Sequence, residues 1–142
     1  MIYRKWELKD IGEVVELEKK CFSDPWNADM VLSSFNLPRF VGFVAEDNGK
    51  AVAYLGATTV LTDCDVLLVA VEETHRKKGV ATALFALLFD ELKNRGAEKV
   101  FLEVRSKNIP ARACYKSLGF SEIGVRNNYY GDDDAVIMEK DV

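Results

Sequence analysis

The chain has 142 residues, 49% of them hydrophobic and 30% charged, with a formal net charge of −4. That length suits one domain able to bury a core, and the composition excludes a disordered or fibrous chain. An acidic balance argues against nucleic acid as the main ligand, and no apolar run is long enough to span a membrane.

The start, Met1 to Glu7, lacks a signal-peptide core, so cytoplasmic residence is expected, without direct contact to membrane or nucleic acid. Cys21, Cys64 and Cys114 show no C-x-x-C spacing and His75 is the sole histidine, so neither a disulfide framework nor a zinc site is indicated.

Ile2 to Trp6 reads as a first strand. Asp10 followed by Glu13 forms a capping-box-like start to a helix carrying Ile11, Val14, Val15 and Leu17 to about Lys20. Ser23-Asp24-Pro25 breaks it, and a second helix is expected from Ala28 to Phe35. Phe40 to Glu46 and Ala51 to Thr59 form a hairpin around Asn48-Gly49. A further strand, Val66 to Val71, leads through a polar loop into a helix from Val80 to about Arg95, capped by Gly96. Ala97 to Val104 is the next strand, and Asn108 caps a helix that stops at Gly119. Phe120 to Arg126 and Ala135 to Glu139 close the chain as a strand pair around the polar stretch Tyr129 to Asp134. The mixed order of strands and helices implies an α/β or α+β domain occupying residues 1–142.

The stretch from Val66 to Leu88 carries the most information. A strand that feeds a helix through a short loop aims free backbone N–H groups at one point, and the helix dipole with Arg76-Lys77-Lys78 makes that point positive. A phosphate is the natural occupant. The G-x-x-x-x-G-K-[ST] and G-x-G-x-x-G loops are both absent. Instead there is Arg76-Lys77-Lys78-Gly79-Val80-Ala81, in which small residues at 79 and 81 permit close approach of main chain to a pyrophosphate.

This R-x-x-G-x-A pattern resembles the acetyl-CoA loop of the GNAT superfamily of N-acetyltransferases. Phe22-Ser23-Asp24-Pro25-Trp26, Leu102-Glu103-Val104-Arg105, Asn108, Tyr115-Lys116-Ser117-Leu118-Gly119-Phe120 and Asn128-Tyr129-Tyr130 follow in order. Together they are similar to the ribosomal-protein-alanine N-acetyltransferase branch over essentially the whole chain. The resemblance implies a mixed, mostly antiparallel sheet of about seven strands with flanking helices. It implies acetyl-CoA as co-substrate, held by Val69, Ala70, Val71, Lys77, Lys78, Gly79, Val80, Ala81, Thr82 and Asn108, with no metal. It implies an acceptor that is the N-terminus of a ribosomal protein, bordered by Phe22, Pro25, Trp26, Tyr129 and Tyr130. Arg76 stands where the family commonly has glutamine, Ala81 where it has glycine, and Thr82 where it has arginine.

Glu103 lies in an otherwise apolar strand, where a carboxylate is either paired to a cation such as Arg105 or Lys99, or functional. In the resembled family the glutamate here is the general base, and the tyrosine at the position of Tyr115 protonates the departing thiolate. An α-amine near pKa ~7.8 loses its proton more readily than lysine near ~10.4, an advantage of about 3.5 kcal/mol at neutral pH, so one carboxylate suits an N-terminus better. Asp132-Asp133-Asp134 reads as a solvated turn. Cys114 lacks the nearby base a thiol nucleophile needs. Two further readings stay open: broader Nα or lysine acceptors on the same fold, or a non-catalytic acetyl-CoA-binding module.

Overall fold

Alternating apolar residues and two glycine-marked turns build the strands, and residues recurring every three or four positions build the helices that cover them. The computed structural model describes residues 1–142. In chain order the elements are β1 (Ile2–Lys5), α1 (Ile11–Cys21), α2 (Ala28–Phe35), β2 (Phe40–Asp47), β3 (Lys50–Val60), β4 (Asp63–Val71), α3 (Val80–Arg95), β5 (Lys99–Arg105), α4 (Ile109–Ser117), β6 (Ser121–Arg126) and β7 (Ala135–Asp141). The strands form one seven-stranded sheet in the order β1-β2-β3-β4-β5-β7-β6. Only β4 and β5 run parallel; every other neighbouring pair is antiparallel. No helix is long and apolar enough to cross a membrane.

Strand alternation divides the core between two faces. Val41, Phe43, Ala45, Leu55, Val100, Leu102 and Val104 lie in one cluster with residues of α3 and α4. Leu84, Leu88 and Leu92 of α3 are fully buried there. Truncating any of them to alanine costs about 2–5 kcal/mol. The opposite face places Val44, Tyr54 and Leu68 against Val14 and Leu17 of α1 and Val31 of α2. Gly42 on β2 makes room for an aromatic group, since a Cβ there would sit 2.6 Å from the Phe40 ring.

The turns follow from local chemistry. Asn48 and Gly49 both have positive φ, 53° and 78°, the type I′ geometry whose twist matches an antiparallel hairpin. Gly96 ends α3 in the left-handed region, and the Asn27 side chain caps α2 by accepting from Met30 N. One expected cap is displaced. Asp10 and Glu13 do not form a capping box on α1. The Asp10 carboxylate accepts from Glu7 N–H at 2.7 Å and pairs with Arg4, while Glu13 accepts from Ala51 N–H at 2.6 Å. A half-buried guanidinium and a strand amide compete for both carboxylates, and these partners take them from the helix end.

Candidate active site

The site forms where the sheet comes apart. β4 and β5 pair only at Asp63 with Lys99, Cys64 with Val100, and Asp65 with Phe101. Beyond those residues Val66–Val71 and Leu102–Arg105 have no partner in each other. The β3–β4 ladder slips at Gly56/Ala57, where Leu68 and Val66 pair and Leu67 between them does not. Such a bulge adds local twist and turns β4 away from β5. Both parallel strands then lead into helices, so α3 and α4 start at the same end of the sheet as the split. Open sheets place ligands at the carboxyl ends of parallel strands for this reason.

The loop into α3 is built to receive an anion through its main chain. Lys77 and Gly79 have φ of 61° and 79°, so the chain alternates hand and turns successive N–H groups to one side. The N–H groups of Lys77, Lys78, Gly79, Val80, Ala81 and Thr82 donate to no carbonyl and no side chain of the protein. A helix normally leaves its first N–H groups free, and here the loop before it extends that free run. Lys77, Lys78 and Thr82 are exposed. Arg76 does not face the loop's mouth. Its Nε donates to the Val71 carbonyl at 2.8 Å, and His75 Nε2 lies 2.8 Å from Asp47 at the end of β2. Arg76 and His75 therefore anchor the loop, and the positive character comes from amides and the two lysines.

Across the split, β5 sends Val100, Leu102 and Val104 into the core under α3 and turns Phe101, Glu103 and Arg105 to the other face. Glu103 is half-buried and pairs with Arg126 of β6 at 3.1 Å. Arg105 and Lys99, its expected partners, are engaged elsewhere: Arg105 binds Asp24 and Asp132, and Lys99 binds Asp141 at 2.8 Å. Cross-strand register decides this, because Arg126 and Arg105 both sit opposite Ala135 of β7 and only Arg126 has its end free to reach back.

Tyr115 of α4 is buried against Phe85 and Phe120, with ring centroids 5.8 Å and 6.2 Å away. Its hydroxyl makes no hydrogen bond within the chain, and no such unpartnered polar atom is sealed from solvent, so the hydroxyl keeps some contact with solvent. Burial raises the Tyr115 phenol well above its ordinary value, and Cys114 and Tyr130 push it further. Tyr130 lies under the Arg105 guanidinium, two residues along β5 from Glu103. Burial raises its phenol, and the Glu103 carboxylate is the next contributor.

The remaining expected residues border this centre. Phe22 and Trp26 are half-buried and Pro25 is exposed in the loop between α1 and α2. Tyr129 packs edge-on to Tyr130 at 5.1 Å, and Arg126 lies 5.6 Å from the Tyr129 ring. Asn108 caps α4 by accepting from Ala111 N–H at 3.2 Å, which leaves its amide nitrogen free. The acidic run is not a solvated turn. Asp132 pairs with Arg105 at 2.7 Å, buried Asp133 accepts from Lys107 N–H at 2.9 Å, and Asp134 accepts from Asn128 N–H at 2.8 Å. These carboxylates shape the loop that carries the two tyrosines. Burial lifts the Cys114 thiol above its ordinary value, which keeps it protonated and a poor nucleophile.

Three residues, Glu18, Tyr54 and Arg126, were not singled out in the sequence, and Arg105 was considered only as a partner of Glu103. Glu18, buried at the end of α1, accepts from Trp26 N–H at 2.9 Å and from the Tyr54 hydroxyl. It fixes the loop that carries Phe22, Pro25 and Trp26. Arg126, Tyr54 and Arg105 complete the polar frame, and only contacts between distant strands reveal them. A glutamate in the last turn of a helix with lysines after it offered no signal of its own.

Comparison with known proteins bears directly on this arrangement. The model of the Acetyltransferase (GNAT) family matches residues 11–120. A curated ribosomal protein bS18-alanine N-acetyltransferase of Escherichia coli strain K12 is 35% identical over 136 residues, 93% of this chain and 91% of that protein. The crystal structure of the ribosomal-protein-S18-alanine N-acetyltransferase from Escherichia coli superposes with a TM-score of 0.92 at 32% identity, covering 99% of this chain and 93% of that one. Ard1 from Thermoplasma volcanium superposes with a TM-score of 0.93 at 27% identity, covering 99% of this chain and 97% of that one.

Proposed function

Because the chain belongs to the GNAT family of acetyltransferases, and so is an acetyl-CoA-dependent N-acetyltransferase, we propose that it acetylates the α-amine of an N-terminal alanine on a ribosomal protein. One observation carries the reading. An unpartnered run of amides, Lys77 to Thr82, lies on one wall of the β4–β5 split, with Glu103 on the strand that forms the other. The acceptor class rests on the similarity to the Escherichia coli enzyme.

In this reading the diphosphate of acetyl-CoA sits on the amides of residues 77–82, with Lys77 and Lys78 offsetting charge and Asn108 meeting the acyl-carrying arm. The thioester carbonyl lies against N–H groups of Val69–Val71, whose strand has lost its β5 partner. The acceptor amine arrives on the face that carries Glu103. The Glu103–Arg126 pair is no barrier: the Arg126 side chain is 56% exposed, and exposed pairs are worth little. Glu103 takes the amine's proton through water, and the amine nitrogen attacks the carbonyl carbon within one ternary complex. The tetrahedral oxyanion draws on the β4 amides. As the C–S bond breaks, Tyr115 gives its proton to the sulfur and CoA leaves. Burial that raises the phenol raises a thiol beside it too, so the gap between them stays bridgeable.

CoA release should be measured with three peptide sets: alanine first, other residues first, and N-terminally blocked with an internal lysine. The alanine set is expected to turn over fastest and the blocked set not at all. Equal turnover of blocked lysine peptides would move the function to lysine acetylation, and no turnover of any peptide would leave a binding module.

A further inference from the structure

Arg105 is the last residue of β5 and faces the same side as Glu103. Its guanidinium has three partners drawn from two loops that are distant in sequence. It pairs with Asp24 at 2.9 Å, in the loop between α1 and α2. It pairs with Asp132 at 2.7 Å, in the loop between β6 and β7, and lies 4.3 Å above the Tyr130 ring of that same loop. The other polar ties of residues 127–134 stay within that loop or go to Ser106 and Lys107 after β5, and those of residues 22–27 go to α1 and α2. Trp26 N–H goes to Glu18, Asn128 N–H to Asp134, and Tyr130 N–H to the Asp133 carbonyl at 3.1 Å. No second hydrogen bond or ion pair joins one loop to the other.

We propose that Arg105 is a latch that holds residues 22–27 and 127–134 together beside Glu103 and so is a positioning residue for the acceptor chain. The inference rests on the acceptor reading above. Three physical points support it. A planar guanidinium can meet two carboxylates and stack on a ring at once, which an ammonium cannot. The Arg105 side chain is only 21% exposed, whereas those of Asp24 and Asp132 are 55% and 75% exposed, so the straps release from the solvent side. Such pairs are individually weak, which suits contacts that must open for a chain to enter. Finally, a bare guanidinium two residues from Glu103 would repel an incoming ammonium. Its two carboxylates cancel that field, and the Asp132 carboxyl, held below the usual range by Arg105, stays charged to do so.

The test compares wild type with Arg105→Gln, Arg105→Lys, Asp24→Asn and Asp132→Asn, with two readouts. Amide hydrogen exchange on the protein alone should speed up at both loops in Arg105→Gln. It should speed up at 22–27 only in Asp24→Asn and at 127–134 only in Asp132→Asn. With saturating acetyl-CoA and an alanine-first peptide free of charged side chains, Arg105→Gln should raise the peptide KM about tenfold with kcat within about twofold. Arg105→Lys should restore part of that loss, and the affinity for acetyl-CoA should not move. Unchanged exchange in the two loops would overturn the latch whatever the enzyme acetylates. Faster exchange with an unchanged peptide KM would overturn its role in positioning. Faster exchange in Arg105→Gln together with a wild type that turns over no peptide would keep the latch and remove the acceptor reading instead. Should Arg105→Gln not fold, the two aspartate variants carry the same test one loop at a time.

Discussion

The two walls of the β4–β5 split are made of different material. The wall at α3 is main chain: free amides of residues 77–82 set by the left-handed Lys77 and Gly79. The facing wall is side chain: Glu103, Arg105, Arg126 and Tyr130, drawn from strands and loops far apart in the chain. A main-chain site survives side-chain replacement so long as the backbone keeps its path. This explains how Ala81 and Thr82 can carry side chains in this run without loss of the donors. A side-chain site offers no such tolerance, because each group is there only through its partners. The general lesson is that the invariant part of a co-substrate can be read by backbone, whereas selection among acceptors falls to side chains.

The sharpest contrast comes from the carboxylate proposed as the base. Glu103→Gln should lower kcat about 10²–10⁴-fold, the usual range for a lost general base, with acetyl-CoA affinity unchanged by calorimetry. On the opposite wall, Gly79→Val should weaken acetyl-CoA binding about tenfold by forcing a β-branched residue to positive φ, while the peptide KM stays put. Space is not the obstacle, since a Cβ at Gly79 meets nothing within 4 Å. If Gly79→Val acted on the peptide KM instead, the division between the walls would fail.

Removing Glu18 probes the frame rather than the chemistry. Glu18→Leu strands the Tyr54 hydroxyl and Trp26 N–H and should cost about 2–3 kcal/mol in urea unfolding. Replacing Lys77 and Lys78 together by alanine is a smaller change, about two- to fivefold in acetyl-CoA affinity and largely erased at high salt, because exposed charges are screened. Loss of binding as large as that of Gly79→Val would mean that the lysines, not the amides, hold the anion.

The pH dependence gives the smallest effect. The Tyr115 phenol is raised in the folded state, so an unfolded chain releases that proton first, near pH ~10. Its contribution to stability is whole below that pH and is lost as pH climbs from there toward the folded value. Tyr115→Phe should therefore flatten the fall of unfolding free energy above pH ~10, and should remove no activity limb below it.

Elements with a strong period were readable in advance: α2, the Asn48-Gly49 hairpin and α3 with its Gly96 cap stand where the pattern put them. The glycine loop was readable too, because its chemistry is local. The Glu103 partner was not, since Arg105 and Arg126 are equally plausible until β7 is known to lie between β5 and β6. Asp133 looked solvated because a run of three acids usually is, yet Lys107 N–H draws it inside. Glu13 and Asp10 looked like a cap and became ties to a strand and to Arg4.

By itself the amino-acid order determined which segments are strands, which are helices, and where the glycine turn before α3 must fall, since those depend on backbone preference and residue period over a few positions. The tertiary structure decided which charges meet. Pair energies depend on distance and burial across the sheet, and a one-strand change in order would give Glu103, Arg105 and Asp132 other partners.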